Sequence, residues 1–131
     1  MELGERLRST LTGVLAFDEE DDGALTVHYE HTFASLRVVA IAEDLEMVSL
    51  TQILAWDLAV DNEIRDKVVG LAHDTVLGTV SLAEHVAGGG VADVTLRYNF
   101  PAAGLTDDAL RTLIMMVLSA GADVRQTLIG V

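Results

Sequence analysis

The sequence predicts an α+β domain in which helices cover one mostly antiparallel sheet. Apolar residues recur every three or four positions near both ends and in the middle of the chain, which is the spacing of amphipathic helices. Between these stretches, apolar and polar residues alternate in segments rich in β-branched side chains, a pattern typical of strands with one buried face. Because strands and helices do not alternate regularly, we expect an antiparallel sheet and not parallel βαβ units.

The predicted order of elements is α-β-β-β-α-β-β-α, in a single domain over residues 1–131. The first helix is predicted from an apolar stripe formed by Leu3, Leu7, Leu11, Val14 and Leu15. We expect it to end in the acidic run from Asp18 to Asp22, which with Gly23 is typical of a solvated turn. Two antiparallel strands follow, with alternation over 25–29 and 36–40.

The third strand is predicted over the apolar segment from Met47 to Trp56. Its inner part is apolar on both faces, so we expect a central strand with helices on one side and a partner or another layer on the other. A short buried helix fits the same periodicity. Trp56 is expected in the core, with an aromatic anchor at a binding surface as the alternative.

The second half of the chain contains a helix, a hairpin and the longest helix. Asp61 is the predicted N-cap of a helix that ends near His73. A strand over 75–82, interrupted by Gly78, is joined by a loose loop at 88–90 to a strand over 94–100. Thr106 is the predicted N-cap of the last helix. Its apolar stripe consists of Leu110, Leu113, Ile114, Val117, Leu118, Val124 and Leu128.

Composition narrows the possible partners. The chain has 8 basic and 21 acidic residues and a formal net charge of -13, so nucleic acids and anionic membrane surfaces are repelled at long range. The chain has no cysteine, which excludes disulfides and thiolate chemistry. The N-terminal residues lack the apolar stretch of a signal peptide, and the run from Leu113 to Leu118 is too short to span a bilayer. We expect a cytoplasmic protein that binds neither nucleic acid nor membrane.

The acidic run partly matches a calcium-binding loop. Asp18, Glu20, Asp22 and Gly23 occupy positions 1, 3, 5 and 6 of that pattern, but position 12 is Tyr29 where a bidentate glutamate is required. The sequence therefore favours a solvated turn, and a weak calcium-dependent binding module is an alternative.

The four histidines do not form a catalytic or zinc-binding motif. His28 and His31 converge only if a turn begins between them, and His73 and His85 are expected near element ends. The glycine run at 88–90 leads into a strand and not a helix N-terminus, so it is not a phosphate-binding loop. We expect no catalytic, cofactor-binding or metal-binding residues. The alternative is a small enzyme with a cleft formed by Asp57, Asp61, His73 and Asp74.

The last third of the chain resembles the YbjN family, also called bacterial sensory transduction regulators, whose fold is similar to that of type III secretion chaperones. The resemblance rests on Phe100 and Pro101 at a strand end and on the segment 104–110, Gly-Leu-Thr-Asp-Asp-Ala-Leu, which opens a helix. Further matching positions are Leu113, Val117, Ala120, Ala122, Arg125 and Leu128. Members often have an asparagine-containing helix before the fourth strand, for which Asn62 is the candidate here, and the loop at 88–90 is longer than in the family pattern.

This resemblance implies a non-enzymatic protein that binds a protein client or a regulatory partner, chaperone-like or regulatory, and that acts as a homodimer. The composition is compatible, because a chain that is 50% hydrophobic has enough apolar surface to bury some of it against a second copy. The binding mode is expected to be strand addition to a sheet edge or docking of an amphipathic helix into a groove.

Overall fold

The computed structural model describes residues 2–85 and 89–130. These residues form three helices and six strands. The helices are α1 (Leu3–Leu11), α2 (Asn62–Asp74) and α3 (Asp107–Ile129). The strands are β1 (Ala16–Glu19), β2 (Leu25–Tyr29), β3 (Thr32–Ala42), β4 (Leu45–Ala59), β5 (Thr79–Glu84) and β6 (Val91–Pro101).

The six strands form one open antiparallel sheet in the order β1-β2-β3-β4-β6-β5. The predicted α+β class and the predicted order of elements are confirmed, with the short edge strand β1 as an addition. The third apolar segment is a strand and not a buried helix, and its 15 residues pair with both β3 and β6 at the centre of the sheet.

Three predicted boundaries need correction. α1 ends at Leu11 and does not include Val14 and Leu15, because Gly13 adopts a left-handed conformation with φ of 81°. The first two acids of the acidic run lie in β1, so the solvated turn is confined to 20–23. Residues 75–78 are not part of a strand, since Gly78 has φ of 89° and β5 begins only after it.

The hydrophobic core lies between the helices and one face of the sheet. Alternate residues of β4, namely Val48, Leu50 and Leu54, are fully buried there. The predicted stripe of α3 packs against them, and all of its members except Leu113 are buried. The predicted N-caps are confirmed: Thr106 accepts a hydrogen bond from the amide of Ala109 (3.1 Å), and Asp61 accepts one from the amide of Ile64 (2.8 Å).

One polar side chain connects α3 to the sheet. Gln52 of β4 is fully buried, and its Nε2 donates hydrogen bonds to Thr32 Oγ1 (2.9 Å) and to the carbonyl of Leu118 (3.1 Å). Its Oε1 has no hydrogen-bond partner among the described residues. This oxygen faces Gly121 of α3, where the absence of a side chain lets the helix approach the sheet closely.

The long last helix also meets the length and hydropathy of a membrane span. In this fold its apolar stripe is instead covered by the sheet and by α1. Arg6 of α1 fixes the start of α3, because its guanidinium donates to the carbonyls of Ala103 (3.1 Å) and Leu105 and to the Asp107 carboxylate (2.9 Å). α3 is therefore held by α1 and by the sheet along its apolar stripe.

Candidate functional site

An apolar groove, which we call the α2–α3 groove, lies between the end of α2 and the outer face of α3. One wall is formed by Leu71 and the connection to β5, and the other by three turns of α3. Its apolar lining residues are Leu71, Val76, Leu77, Met116, Ala120 and Val124, and its volume is about 430 Å³. Val76 is 91% exposed and Met116 is 54% exposed. The chain thus leaves apolar side chains in water here.

A second hollow of about 560 Å³ continues along the same helix toward its N-terminal half. Met116, Ala120 and Asp123 border both hollows, and Met115 and Tyr29 extend the apolar lining. Between positions 111 and 127 a helix rises roughly 24 Å. The two hollows therefore form one continuous strip along the outer face of α3.

The charges around this strip are mainly negative. Only two charged residues line the α2–α3 groove within the described part of the chain, Asp74 and Asp123. Arg111, at the far end of the second hollow, lies 3.1 Å from Asp108 and donates to the carbonyl of Thr10 (3.2 Å). The groove is an apolar surface with an acidic rim.

A second apolar surface, which we call the aromatic patch, lies at one end of the sheet and consists of Phe33, Ile53 and Trp56. Trp56 is 52% exposed, so the prediction that it belongs to the core is wrong. The ring centroid of Trp56 lies 5.7 Å from that of Phe33. The guanidinium of Arg125, a residue of α3, lies 5.9 Å from the Trp56 ring centroid. Arg125 also donates to the carbonyl of Leu54 (2.6 Å). The tryptophan leaves the core because two bulges interrupt the pairing of β4 with β6 around it.

The aromatic patch borders the sheet face that α1, α2 and α3 leave uncovered. Within β3, β4 and β6, strand alternation places on this face Phe33, Ser35, Arg37, Val39, Met47, Ser49, Thr51, Ile53, Asp93, Thr95, Arg97 and Asn99. Asp93 is the one acid among these positions, and it is paired with His85 (3.0 Å), although the whole chain has 21 acids. Arg37 lies 2.6 Å from Asp22. The expected second layer on this side is not supplied by the described residues.

A small polar cluster, not predicted from the sequence, lies near the end of the β5–β6 hairpin. His85 Nε2 lies 3.0 Å from Asp93 Oδ1 and 3.6 Å from Asp57 Oδ1. The backbone amide of Asp57 donates to Asp93 Oδ1 (3.0 Å). Asp57 has a positive φ of 53° within a bulge of β4, which turns it toward this pair.

The cluster shifts the proton affinities of its members. The hydrogen bond to Asp93 raises the pKa of His85, and the amide of Asp57 together with His85 lowers the pKa of Asp93. One nitrogen of His85 and one carboxylate oxygen each of Asp57 and Asp93 lie within 4.8 Å of one another. This set of donor atoms is compatible with a divalent cation such as zinc. Within the chain these groups already serve as partners for each other and stabilise the bulge.

The residues of the predicted enzyme cleft do not converge. Asp61 caps the start of α2, whereas His73 and Asp74 lie at its end, roughly 20 Å away along the helix. Asp57 faces His85 instead, and Asp74 lines the α2–α3 groove. The structure does not assemble the proposed carboxylate and histidine cleft.

The acids of the calcium-loop pattern point to separate partners. Asp18 lies 3.1 Å from His28, Glu20 accepts from Thr26 (2.9 Å), and Asp22 lies 2.6 Å from Arg37. The interaction with Arg37 lowers the pKa of Asp22. This arrangement is that of an ion-paired turn at the sheet edge and not of a loop folded around a cation.

The other predicted histidines, and those of the predicted glycines that the structure describes, lie at or near the ends of strands and helices. The turn after β2 does begin between His28 and His31, and His31 lines a polar hollow beside Arg125. His73 lies in the last turn of α2, as predicted. Of the predicted glycine loop, Gly88 lies outside the described residues, while Gly89 and Gly90 precede β6 with positive φ.

The sequence contains a pattern that indicates the polar cluster and another that indicates the outer face of α3. In a β5–β6 hairpin, His85 and Asp93 fall on the same face one diagonal step apart, which follows from the pairing of Ala83 with Asp93. Met115, Met116 and Ala120 lie off the buried stripe of α3, so an apolar outer face was visible in the helical spacing. The wall contributed by 71–77 had no such signal.

These elements define an α+β domain with an open six-stranded antiparallel sheet and helices on one face. The chain has a YbjN-like fold. Among the solved structures that it matches is the crystal structure of YbjN from E. coli, described as a candidate transcription regulator, with a TM-score of 0.71 and 11% sequence identity. The match covers 96% of this chain and 90% of YbjN. No protein-family model matches the sequence, and a search of curated proteins gave no significant match.

Proposed function

We propose that this protein is a non-enzymatic binding module, chaperone-like or regulatory, that holds a protein partner in the α2–α3 groove. The observation that carries this proposal is the exposure of Val76 and Met116 in a groove that the other described residues leave open. Contiguous exposed apolar surfaces are uncommon on monomeric proteins, and they often mark an interaction site. The description of YbjN as a candidate transcription regulator agrees with a regulatory role.

The test of this proposal compares partners captured by two forms of the tagged protein from its native cell extract. Ala120→Phe fills the floor of the groove without changing charge, and Ala103→Phe places the same side chain at an exposed position elsewhere. We expect one or a few proteins to be enriched by the wild type and Ala103→Phe and lost with Ala120→Phe, as measured by quantitative mass spectrometry. A tagged acidic protein controls for charge. Equal capture by Ala120→Phe, or no enrichment at all, would contradict the proposal.

We propose further that two copies associate through the uncovered sheet face. Two chains of charge -13 repel each other, whereas the face of β3, β4 and β6 carries two arginines and one acid, Asp93, which is paired with His85. The aromatic patch at its end supplies apolar area for burial, and Phe33 and Trp56 are still 39% and 52% exposed.

Phe33→Glu is expected to weaken this self-association by about tenfold or more, because it places a charge in the aromatic patch. Sedimentation equilibrium across micromolar concentrations measures the change. Trp56 is the one tryptophan of the chain, so its emission should shift to shorter wavelength as the wild type associates. Val14→Glu is the matched control, since Val14 is 43% exposed and lies outside the patch. A wild type that stays monomeric at high micromolar concentration excludes the dimer.

A further inference from the structure

We propose that the occupant of the α2–α3 groove is an amphipathic helix of another protein, with leucine-like anchors on one face and lysine or arginine on the other. This inference rests on the proposed function and specifies the chemistry of the partner. It follows from three features of the structure: the nature of the groove walls, the shortness of the free strand edges, and the charge of the rim.

The walls of the groove favour a helix as the occupant. One wall is α3, and the other combines the end of α2 with the connection 75–77, which is not a strand. The backbone amides and carbonyls of the two helices are engaged within them. An extended segment gains affinity by pairing its backbone with a free strand edge. None of the described residues that line this groove belongs to a strand. A helix needs only side-chain contacts, and it presents them at i, i+3, i+4 and i+7.

The strand edges themselves are poor alternatives. β1 has 4 residues, two of them acidic, and β5 has 6 residues. Short and charged edge strands are how proteins discourage the addition of further strands. Of strand addition and helix docking, the structure therefore favours docking of a helix.

The strip along α3 also sets the size of the occupant. A partner helix that follows it from Thr127 to Arg111 covers roughly 24 Å, which corresponds to about 16 residues. Its anchors would contact Val76 and Met116 in the groove and Met115 in the second hollow. Methionines suit such a surface because their flexible thioether chains adapt to different anchors.

The charge of the rim favours a basic partner over a second copy. The groove is bordered by Asp74 and Asp123, and the chain carries 21 acids against 8 basic residues. A symmetric contact through this groove would bring the same acidic rims of two copies together, at a cost in repulsion. Lysines or arginines flanking the apolar face of a partner helix would instead pair with these carboxylates and speed association.

The probes for the test are two synthetic helical peptides of about 16 residues. They share one leucine face and differ only in the polar face, which is lysine in the first and glutamate in the second. Binding of each fluorescein-labelled peptide to the full chain is measured by fluorescence anisotropy at low and at high salt. We expect the Leu/Lys peptide to bind and the Leu/Glu peptide to bind at least tenfold more weakly, with the difference shrinking at high salt because exposed charges are screened.

Variants then locate the binding site. Asp74→Asn with Asp123→Asn removes the charges of the rim, and Asp66→Asn with Glu63→Gln removes two charges of α2 that do not line the groove. We expect a loss of about threefold to tenfold for the first pair and little change for the second. Ala120→Phe should reduce binding of the Leu/Lys peptide at least tenfold, while Ala103→Phe leaves it unchanged. Thermal unfolding of each variant establishes that it is folded.

The outcomes decide whether a basic amphipathic helix occupies the groove. Equal binding of the two peptides, no binding of the Leu/Lys peptide, or binding that Ala120→Phe and the rim variant leave unchanged would overturn the inference. If the peptide fails but capture from the cell extract is still lost with Ala120→Phe, the groove remains a protein-binding site and only the basic helix is wrong. If the peptide result holds and nothing is captured, the groove chemistry stands and the biological role proposed for it does not.

Discussion

Gly121→Ala is expected to lower the free energy of unfolding by about 2–4 kcal/mol, although alanine is the better helix former by about 1 kcal/mol. The new Cβ would lie 1.9 Å from Gln52 Oε1 and 2.5 Å from Gln52 Cδ, so one of the two groups has to move. Gln52 is fully buried, and rotating it away breaks its hydrogen bonds to Thr32 and to the Leu118 carbonyl. Urea unfolding monitored by Trp56 fluorescence measures the loss.

Gly70→Ala is the matched control for this prediction. Gly70 lies inside α2, and a Cβ there meets no atom within 4 Å, so only helix propensity acts and a gain of up to about 1 kcal/mol is expected. A double-mutant cycle with Gln52→Ala assigns the clash, because Gly121→Ala should cost little once Gln52 is absent. If Gly121→Ala is as harmless as Gly70→Ala, α3 does not approach the sheet as closely as described.

Much of the fold was predictable because it depends on periodicity and capping, which are local. Apolar spacing predicts the stripe of α3 from Leu110 to Leu128, residue type predicts the caps Asp61 and Thr106, and the structure confirms them. The ends of elements were less predictable, since they depend on single residues with special backbone angles. Gly13 ends α1 early, and its effect was hidden because the apolar spacing continues past it.

The candidate surfaces were harder to predict, because they depend on residues distant in sequence. The α2–α3 groove joins the segment at 71–77 to α3 some 40 positions later, and periodicity carries no information about which faces end up adjacent. The position of Trp56 inside an apolar run predicts a core residue, but two bulges in β4 redirect it to the surface. Bulges follow from pairing with another strand and leave little trace in one sequence.

Gly78→Ala is expected to lower the free energy of unfolding by about 2–4 kcal/mol and to weaken the α2–α3 groove at the same time. Gly78 has φ of 89°, a conformation that costs a residue with a Cβ about 1–2 kcal/mol. In addition, the new Cβ would lie 2.8 Å from Leu96 Cδ2 and 3.0 Å from the carbonyl oxygen of Arg97, and Leu96 is fully buried. The chain before β5 therefore has to move away from β6.

The same movement should also reduce binding in the groove, because Val76 and Leu77 of this segment form part of one wall. Gly23→Ala separates the two costs: Gly23 also has φ of 89°, but a Cβ there meets no atom within 4 Å, so it should lose only the conformational part, about 1–2 kcal/mol. Urea unfolding of both variants gives the difference due to packing. Binding of the Leu/Lys peptide under folded conditions should fall several-fold for Gly78→Ala and stay unchanged for Gly23→Ala. Equal stability losses in the two variants would show that Gly78 is required for its backbone angle alone and that the groove wall is not held by contact with β6.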